Sequence, residues 1–153
     1  MKKIASFTVN HDKLEKGMYV SRIDGDIYTY DIRMKKPNNS DYISNGALHT
    51  FEHLFATYAR NSEYADSVIY VGPMGCRTGF YLLLRSNVKK SEALSLVRKT
   101  FEFIVNFEGE IPGSKRQECG NYKEHDLLGS KGIAADMLNV LSEKTEADMV
   151  YAE

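Results

Sequence analysis

The sequence predicts an α+β fold, a single domain in which helices pack on an antiparallel β-sheet. The chain has 153 residues, which suits one domain, because two would leave each half with a marginal core. Hairpin signals and helical segments mix along it without a regular βαβ alternation. Its 42% hydrophobic and 27% charged residues are ordinary for a globular protein and argue against a disordered chain. We therefore expect one domain over residues 1–153.

The first predicted element is a β-hairpin. Residues 19–23 and 26–34 flank Asp24-Gly25, a dipeptide typical of the type I′ turn, which requires positive φ. The second arm alternates, so its tyrosines point to one face and Arg33 points to the other. The polar stretch 35–41 that follows is predicted to be a loop.

Three helices and two further strands are predicted after this hairpin. The first helix spans about 44–60, the second begins with Ser91 as its N-cap, and the third runs from about 126 to 141. Between the first two helices, strands are predicted at 66–71 and 78–85. A hairpin followed by helices and two more strands favours an antiparallel sheet.

Charge and hydropathy exclude several classes of protein. Lys and Arg number 20 and Asp and Glu number 21, giving a net charge of −1. This leaves no basic surplus for nucleic acid and no polybasic tract for anionic membranes. The longest strongly apolar run, Phe80–Leu84, is far shorter than the roughly 20 residues of a membrane span. The basic start of the chain has no apolar segment after it, so we expect a cytoplasmic protein.

The pattern H-x-x-E-H occurs in the first predicted helix as His49-Thr50-Phe51-Glu52-His53. Histidines at i and i+4 share a helix face, so their imidazoles can bind one metal ion. Glu52 lies between the histidine pair and the apolar stripe, which puts a carboxylate beside the metal for acid/base chemistry. The plain alternative is two solvated histidines with an incidental glutamate. Two of the chain's only four histidines lie here, which favours a metal site.

A third ligand is required, because two ligands bind a metal weakly. Cys119, in a loop before the last helix, is the leading candidate, since a thiolate with two imidazoles suits zinc or ferrous iron. Three protein ligands leave one position for water or substrate, as in catalytic sites. The alternative is a free buried cysteine, in which case Glu118, Glu124 or Asp126 could serve instead.

Two more residues are candidates for chemistry. Cys76 lies in a glycine-containing turn between two predicted strands, and neighbouring Arg77 favours a thiolate that can move protons or attack an electrophile. The alternative is an inert loop cysteine. Arg33 can bind a carboxylate or a sugar hydroxyl. For Arg33 the alternative, a solvated strand arginine, is the one that the strand pattern alone favours.

Five segments between residues 6 and 126 form a larger pattern: Ser6-Phe7 with His11; Asp31-Ile32-Arg33 with Pro37-Asn38; His49-Thr50-Phe51-Glu52-His53-Leu54; Pro73-Met74-Gly75-Cys76-Arg77-Thr78-Gly79; and Cys119-Gly120 with Tyr122, His125 and Asp126. In this order they resemble the S-ribosylhomocysteine lyase family, also called autoinducer-2 synthase or LuxS, which makes the autoinducer precursor used in bacterial quorum sensing. The chain length also fits. One motif alone would be weak, whereas five in order are specific.

The resemblance implies a role for each candidate residue. His49, His53 and Cys119 are implied to bind the metal, which is ferrous iron in the family's native form and replaceable by zinc or cobalt. Glu52 and Cys76 are implied to be the acid/base pair. The resemblance also implies a homodimer whose two sites lie at the interface, with substrate-binding residues that contribute across it: Ser6, His11 and Arg33.

The implied reaction cleaves the thioether of S-ribosylhomocysteine. Carbonyl migration and β-elimination give homocysteine and 4,5-dihydroxy-2,3-pentanedione, with a Lewis-acidic metal polarising carbonyls while Glu52 and Cys76 move protons. Tyr70 and Asn10 depart from the family pattern, in which aspartate is usual at both places. These departures bear on how the amino and carboxylate ends of homocysteine are bound.

Two other functions are consistent with parts of the pattern. H-x-x-E-H is also the signature of inverzincin metallopeptidases, which would need an acidic third ligand such as Glu124 or Asp126 and would not need Cys76. A non-enzymatic metal carrier or regulator would instead have a closed site with His125 or His11 as a fourth ligand. Replacing Cys119 by alanine separates the lyase from the peptidase, since only the lyase would lose its metal.

Overall fold

A computed structural model describes all residues, 1–153, and contains a four-stranded antiparallel sheet and three α-helices, which confirms the α+β prediction. The strand order across the sheet is β1-β2-β4-β3. Three short 3₁₀ helices complete the chain, at Ala5–Phe7, Ala65–Ser67 and Glu146–Asp148. The main elements are β1 Gly17–Asp24, β2 Ile27–Arg33, α1 Asn45–Arg60, β3 Val68–Pro73, β4 Gly79–Arg85, α2 Lys90–Asn106 and α3 Leu127–Leu141.

The β1–β2 hairpin forms as predicted, but its turn lies one residue later. Asp24 pairs with Ile27, so the central residues of the turn are Gly25 and Asp26. Gly25 has φ +59° and Asp26 has no positive φ. This is the pattern of a type II′ turn, which needs glycine only at its first central position, and not of the type I′ turn that Asp24-Gly25 indicated.

The helices cover one face of the sheet. Phe51 and Phe55 of α1 pack on Phe80 of β4, with ring centroids 5.1 and 6.2 Å from that of Phe80. Tyr30 and Ile32 of β2 are fully buried in this same core. Since side chains alternate along a strand, Asp31 and Arg33 project from the opposite face of the sheet.

That second face is also covered where Asp31 and Arg33 lie. Their exposed fractions are 1% and 3%. The prediction of a solvated arginine, which the strand pattern favoured for Arg33, is therefore wrong. The cover comes from the two ends of the chain, which line a pocket there with Ser6, Phe7, Val9 and His11 from the N-terminal end and Tyr151 from the C-terminal end. These segments are remote in sequence from β2, and strand periodicity carries no information about them.

The starts of the helices follow local hydrogen bonding. Ser44 caps α1 by accepting from the backbone of Ala47, and Asp126 caps α3 by accepting from Gly129, at the helix starts that the sequence predicts. Ser91 does not cap α2, which begins at Lys90. The Glu92 carboxylate instead accepts from the Lys89 backbone N–H at 2.7 Å, and this satisfies the helix start two residues earlier.

A close approach of two strands fixes the turn that holds Cys76. Any Cβ on Gly79 would lie 2.2 Å from the carbonyl oxygen of Ile32, so only glycine lets β4 pair with β2 at this point. Between Cys76 and Gly79 the chain reverses direction at Arg77, which has φ +58°.

None of the helices combines the length and the apolar character that a membrane span requires.

Candidate metal centre and substrate pocket

The two histidines of H-x-x-E-H converge from consecutive turns of α1. Their ring centroids are 4.7 Å apart and the ring planes are nearly perpendicular, at 86°. Nδ1 of His49 donates to the Glu124 carbonyl at 2.8 Å, and Nδ1 of His53 donates to the Pro112 carbonyl at 2.7 Å. A carbonyl can only accept, so both hydrogens lie on Nδ1 and both Nε2 atoms keep a free lone pair.

Cys119 completes a set of three donors. Its Sγ lies 3.3 Å from Nε2 of His49 and 4.0 Å from Nε2 of His53. Two imidazole lone pairs facing one sulfur leave a position that a cation fills, and backbone carbonyls behind both histidines are the usual outer support of such sites. The residues therefore fit a metal ion such as zinc or ferrous iron.

The carboxylates that were alternatives to Cys119 are not in this set. The Asp126 carboxylate caps α3, and Glu124 contributes only its backbone carbonyl. The Glu118 carboxylate accepts from the backbone of Lys115. The group that can bind an ion contains histidines and a cysteine and no acidic side chain, so the metallopeptidase alternative is not supported.

His125 is a fourth member of the cluster. One ring nitrogen of each of the three histidines and the sulfur of Cys119 all lie within 4.8 Å of one another. The His125 ring stacks on His49 with centroids 4.1 Å apart, and Nδ1 lies 3.0 Å from the Thr50 hydroxyl. Burial, with the nearby histidines, lowers the pKa of His125. The lyase hypothesis from the sequence assigned His125 no role of its own.

Glu52 lies on α1 between the two histidines and is half-buried. Its backbone position is thus within the turn that carries both predicted ligands, as the spacing requires. The residue itself is partly exposed to solvent.

A separate pocket of about 340 Å³ contains the remaining predicted residues. It lies on the face of the sheet that the helices leave free, and Cys76 is exposed in it. The pocket lining includes all three predicted substrate-binding residues and the second predicted acid/base residue: Ser6, His11, Arg33 and Cys76.

Hydrogen bonds fix Arg33 within this pocket. Nε and Nη2 bind the two oxygens of Asp31 at 3.1 and 2.7 Å, and Nη1 donates to the Thr78 hydroxyl at 2.7 Å. Tyr151 donates to Asp31 at 2.7 Å. Burial lowers the pKa of Arg33, but the charge and hydrogen bonds of Asp31 outweigh it and raise the pKa overall, so Arg33 is always charged.

Arg33, and not Arg77, is the arginine whose side chain contacts the sulfur of Cys76. Nη1 of Arg33 lies 4.0 Å from the sulfur, and the Thr78 hydroxyl is 3.0 Å from it. The Arg77 side chain turns away, donating to the Ile43 carbonyl at 3.2 Å. The expected effect of Arg77 on the thiolate is therefore wrong, because a chain neighbour need not be a spatial one.

Within one chain the structure separates the predicted residues into two groups. His49, His53, Cys119 and Glu52 belong to α1 and the loop before α3, in the helical layer. None of these four lines the pocket that holds Cys76, which lies beyond the sheet. The acid/base pair implied by the resemblance is thus not assembled within a single copy of the chain.

The two positions that depart from the family pattern lie outside the pocket. Tyr70 is 51% exposed on β3, and Asn10 accepts a hydrogen bond from the backbone of Asp12 at 3.0 Å. Neither lines the pocket with Cys76.

Comparison with known proteins gives the family. A family model described as S-Ribosylhomocysteinase (LuxS) matches residues 4–148. The chain belongs to this family. Curated relatives named S-ribosylhomocysteine lyase include proteins of Phocaeicola vulgatus, 46% identical over 99% of this chain and 97% of the relative, and of Borreliella afzelii, 47% identical over 99% of both chains. A relative of Clostridium beijerinckii with the same name is 46% identical over 99% of both chains.

Proposed function

We propose that this protein is a metal-dependent carbon–sulfur lyase that converts S-ribosylhomocysteine to homocysteine and 4,5-dihydroxy-2,3-pentanedione, the autoinducer-2 precursor. The observation that carries the proposal is the convergence of two free Nε2 lone pairs on the sulfur of Cys119, in a chain matched over nearly its whole length by relatives of that name. His49, His53 and Cys119 are the proposed ligands. Ferrous iron is the proposed native metal, with zinc or cobalt as substitutes.

The substrate explains why such a site is needed. The C–S bond breaks easily only when sulfur is on the carbon β to a carbonyl, with one carbon between the two that can lose a proton. The carbonyl must therefore first move along the ribose chain. A bound metal supplies Lewis acidity that stabilises negative charge on the substrate oxygens during these proton transfers. The protein's own task is to move protons between neighbouring carbons and oxygens.

Glu52 and Cys76 are the proposed proton carriers. Glu52, beside the cluster, exchanges protons with substrate oxygens, and Cys76 removes and returns protons on carbon. In the final step a base takes the proton from the carbon next to the carbonyl, and the electron pair of the broken C–H bond forms the C=C bond. The C–S bond breaks, and homocysteine leaves as a thiolate that takes up a proton. No acyl or glycosyl intermediate is needed, so Cys76 acts as a base and not as a covalent nucleophile.

Ser6, His11 and Arg33 are the proposed substrate-binding residues. All three line the same pocket as Cys76, and the guanidinium of Arg33 is the charged group among them. A fixed arginine suits a carboxylate or ribose hydroxyls. Their shared pocket supports a single binding role near the carbon that Cys76 deprotonates.

A homodimer is part of this proposal. Glu52 and Cys76 lie on different sides of the sheet in one chain, so one substrate can meet both only if Cys76 of one copy faces the metal cluster of a second copy. The exposure of Cys76 and of Phe7, which lines the same pocket and is 64% exposed, supports a surface that a second copy covers. The cytoplasmic location and the absence of nucleic-acid and membrane partners stay predictions from the sequence.

Thiol release tests the proposed function. The wild type, purified without oxygen, is expected to release free thiol from S-ribosylhomocysteine, whereas Cys76→Ala and Glu52→Gln are expected to release none. Metal content, measured for all three, serves as the control. A metal-loaded wild type that releases no thiol would contradict the proposal.

A further inference from the structure

His125 has one bonded ring nitrogen and one without a partner. Nδ1 lies 3.0 Å from Oγ1 of Thr50, whereas Nε2 is buried and meets no hydrogen-bond partner in the chain. Buried polar atoms in folded proteins almost always have a partner. An unpartnered nitrogen beside a metal-binding cluster therefore indicates that a ligand supplies the missing partner in the working protein.

Thr50 determines which nitrogen of His125 carries the hydrogen. Its hydroxyl is completely buried and has two neighbours, the backbone N–H of Asp126 at 2.9 Å and Nδ1 of His125. The amide can only donate, so the hydroxyl hydrogen is left for Nδ1. Nδ1 accepts it, and neutral His125 carries its own hydrogen on Nε2. The opposite tautomer would bury the hydroxyl hydrogen of Thr50 without an acceptor, which is costly.

The ring planes also argue that His125 is not a fourth ligand. An imidazole binds a metal through a lone pair in the plane of its ring, so rings that share an ion have planes that meet at it. The planes of His49 and His53 cross at 86° and can do so. The ring of His125 stacks on His49 at 19°, which puts its plane beside the metal position and not through it. An Nε2 that carries hydrogen, moreover, has no lone pair to offer.

We propose that His125 is a neutral hydrogen-bond donor, held by Thr50, that binds an oxygen of the substrate beside the metal centre. This rests on the proposed function, since S-ribosylhomocysteine presents a carbonyl and several hydroxyls whose oxygens gain negative charge as the carbonyl moves. A fixed N–H directed at that charge lowers the barrier without transferring a proton. His125 therefore differs from His49 and His53, whose hydrogens lie on Nδ1 and whose Nε2 atoms are free for metal.

Nitrogen NMR of the zinc-loaded protein with ¹⁵N-labelled histidine tests the tautomer directly, without any turnover. The expected result is a His125 with hydrogen on Nε2 and none on Nδ1, the reverse of His49 and His53. Thr50→Ser should keep this pattern because it keeps the hydroxyl, whereas Thr50→Val should give a mixture of tautomers. A His125 Nε2 that lacks hydrogen and is bound to zinc would overturn the proposal.

Substitution of His125 tests its role in the reaction. In His125→Phe the ring that stacks on His49 remains and the donor is lost, so we expect full zinc content and a kcat for thiol release lowered about 100-fold, as for loss of one donor to a developing oxyanion. His125→Gln, which can donate from its amide, should recover part of this loss. Loss of zinc from both variants, or an unchanged kcat in both, would contradict the proposal. If the wild type releases no thiol, the proposed function fails, and the NMR result still decides the tautomer.

Discussion

Arg33 and Asp31 form a two-point ion pair at a place where both side chains are almost excluded from solvent. The nitrogen–oxygen distances are 3.1 and 2.7 Å, and the exposed fractions are 3% and 1%. A buried charge is stable only with a partner, because its desolvation is not otherwise offset. Asp31 therefore stabilises the charged group next to Cys76, although no pattern in the sequence assigned Asp31 a role.

Asp31→Asn should destabilise the protein strongly. It leaves Arg33 charged and buried without a counter-charge, and breaking such a pair costs about 3–5 kcal/mol. Urea unfolding measures the loss. Asp26→Asn is the matched control, since Asp26 pairs with Arg85 at 3.0 Å on the surface, where loss of a pair costs no more than about 1 kcal/mol. Equal losses in the two variants would show that the Arg33–Asp31 pair is not buried as described.

Tyr151→Phe should perturb the pocket through Asp31. It removes one hydroxyl, which donates to Asp31 at 2.7 Å, and nothing else. We expect a loss of about 1–3 kcal/mol in the free energy of unfolding, as for a hydrogen bond to a charged group, and a higher KM for S-ribosylhomocysteine, because Arg33 is less firmly held. Tyr70→Phe, at an exposed tyrosine, should change neither quantity. An unchanged KM in Tyr151→Phe would show that the C-terminal segment does not contribute to substrate binding.

Tyr30→Phe should leave stability unchanged or raise it. The Tyr30 hydroxyl is buried without a hydrogen-bond partner, so its removal ends a desolvation cost of about 1–3 kcal/mol. Burial also raises the pKa of Tyr30 to about 12. A phenol whose pKa is raised by folding stabilises the fold below its unfolded pKa of about 10, and this contribution is lost as pH rises from there towards 12.

Unfolding measured between pH 9 and pH 12 therefore distinguishes the two proteins. The free energy of unfolding of the wild type should fall across this window. For Tyr30→Phe the slope of that free energy against pH should be shallower, by the equivalent of up to about one bound proton per molecule. A marked loss of stability in Tyr30→Phe at neutral pH would mean that the hydroxyl has a partner after all.

Gly113→Ala should weaken metal binding through His53. Gly113 follows the carbonyl that accepts from Nδ1 of His53, and a Cβ there would lie 3.2 Å from that nitrogen. Disturbing such a support typically lowers metal affinity about 10- to 100-fold, which zinc competition with a chelator measures. Gly109→Ala is the control, because its φ is also positive but its Cβ would meet nothing within 4 Å. Equal affinity in the two variants would remove His53 from the ligand set.

Local patterns predicted most of the elements and the residues of the metal cluster. The spacing of His49 and His53 on α1 follows from helix geometry alone, and Ser44 and Asp126 begin their helices as capping residues should. The single sequence could not give the contacts of Asp31. Its partner Tyr151 lies 120 residues away, and only the fold brings the chain end to that strand.

Other differences have local causes of the same kind. Ser91 was predicted as a cap because its side chain suits one, but Glu92 satisfies the helix start from within the first turn. Arg77 neighbours Cys76 in sequence, yet its backbone has positive φ and its side chain donates to the Ile43 carbonyl. In each case the residue type was informative and the direction of the side chain was not.

Mixing two inactive variants tests most directly the claim that Glu52 and Cys76 act together in a site shared by two copies. Cys76→Ala and Glu52→Gln, metal-loaded and mixed in equal amounts under conditions of subunit exchange, should regain about a quarter of the wild-type rate of thiol release, because half of the dimers are mixed and each holds one intact site of two. No thiol from the mixture, with exchange verified by differently tagged chains, would contradict the account.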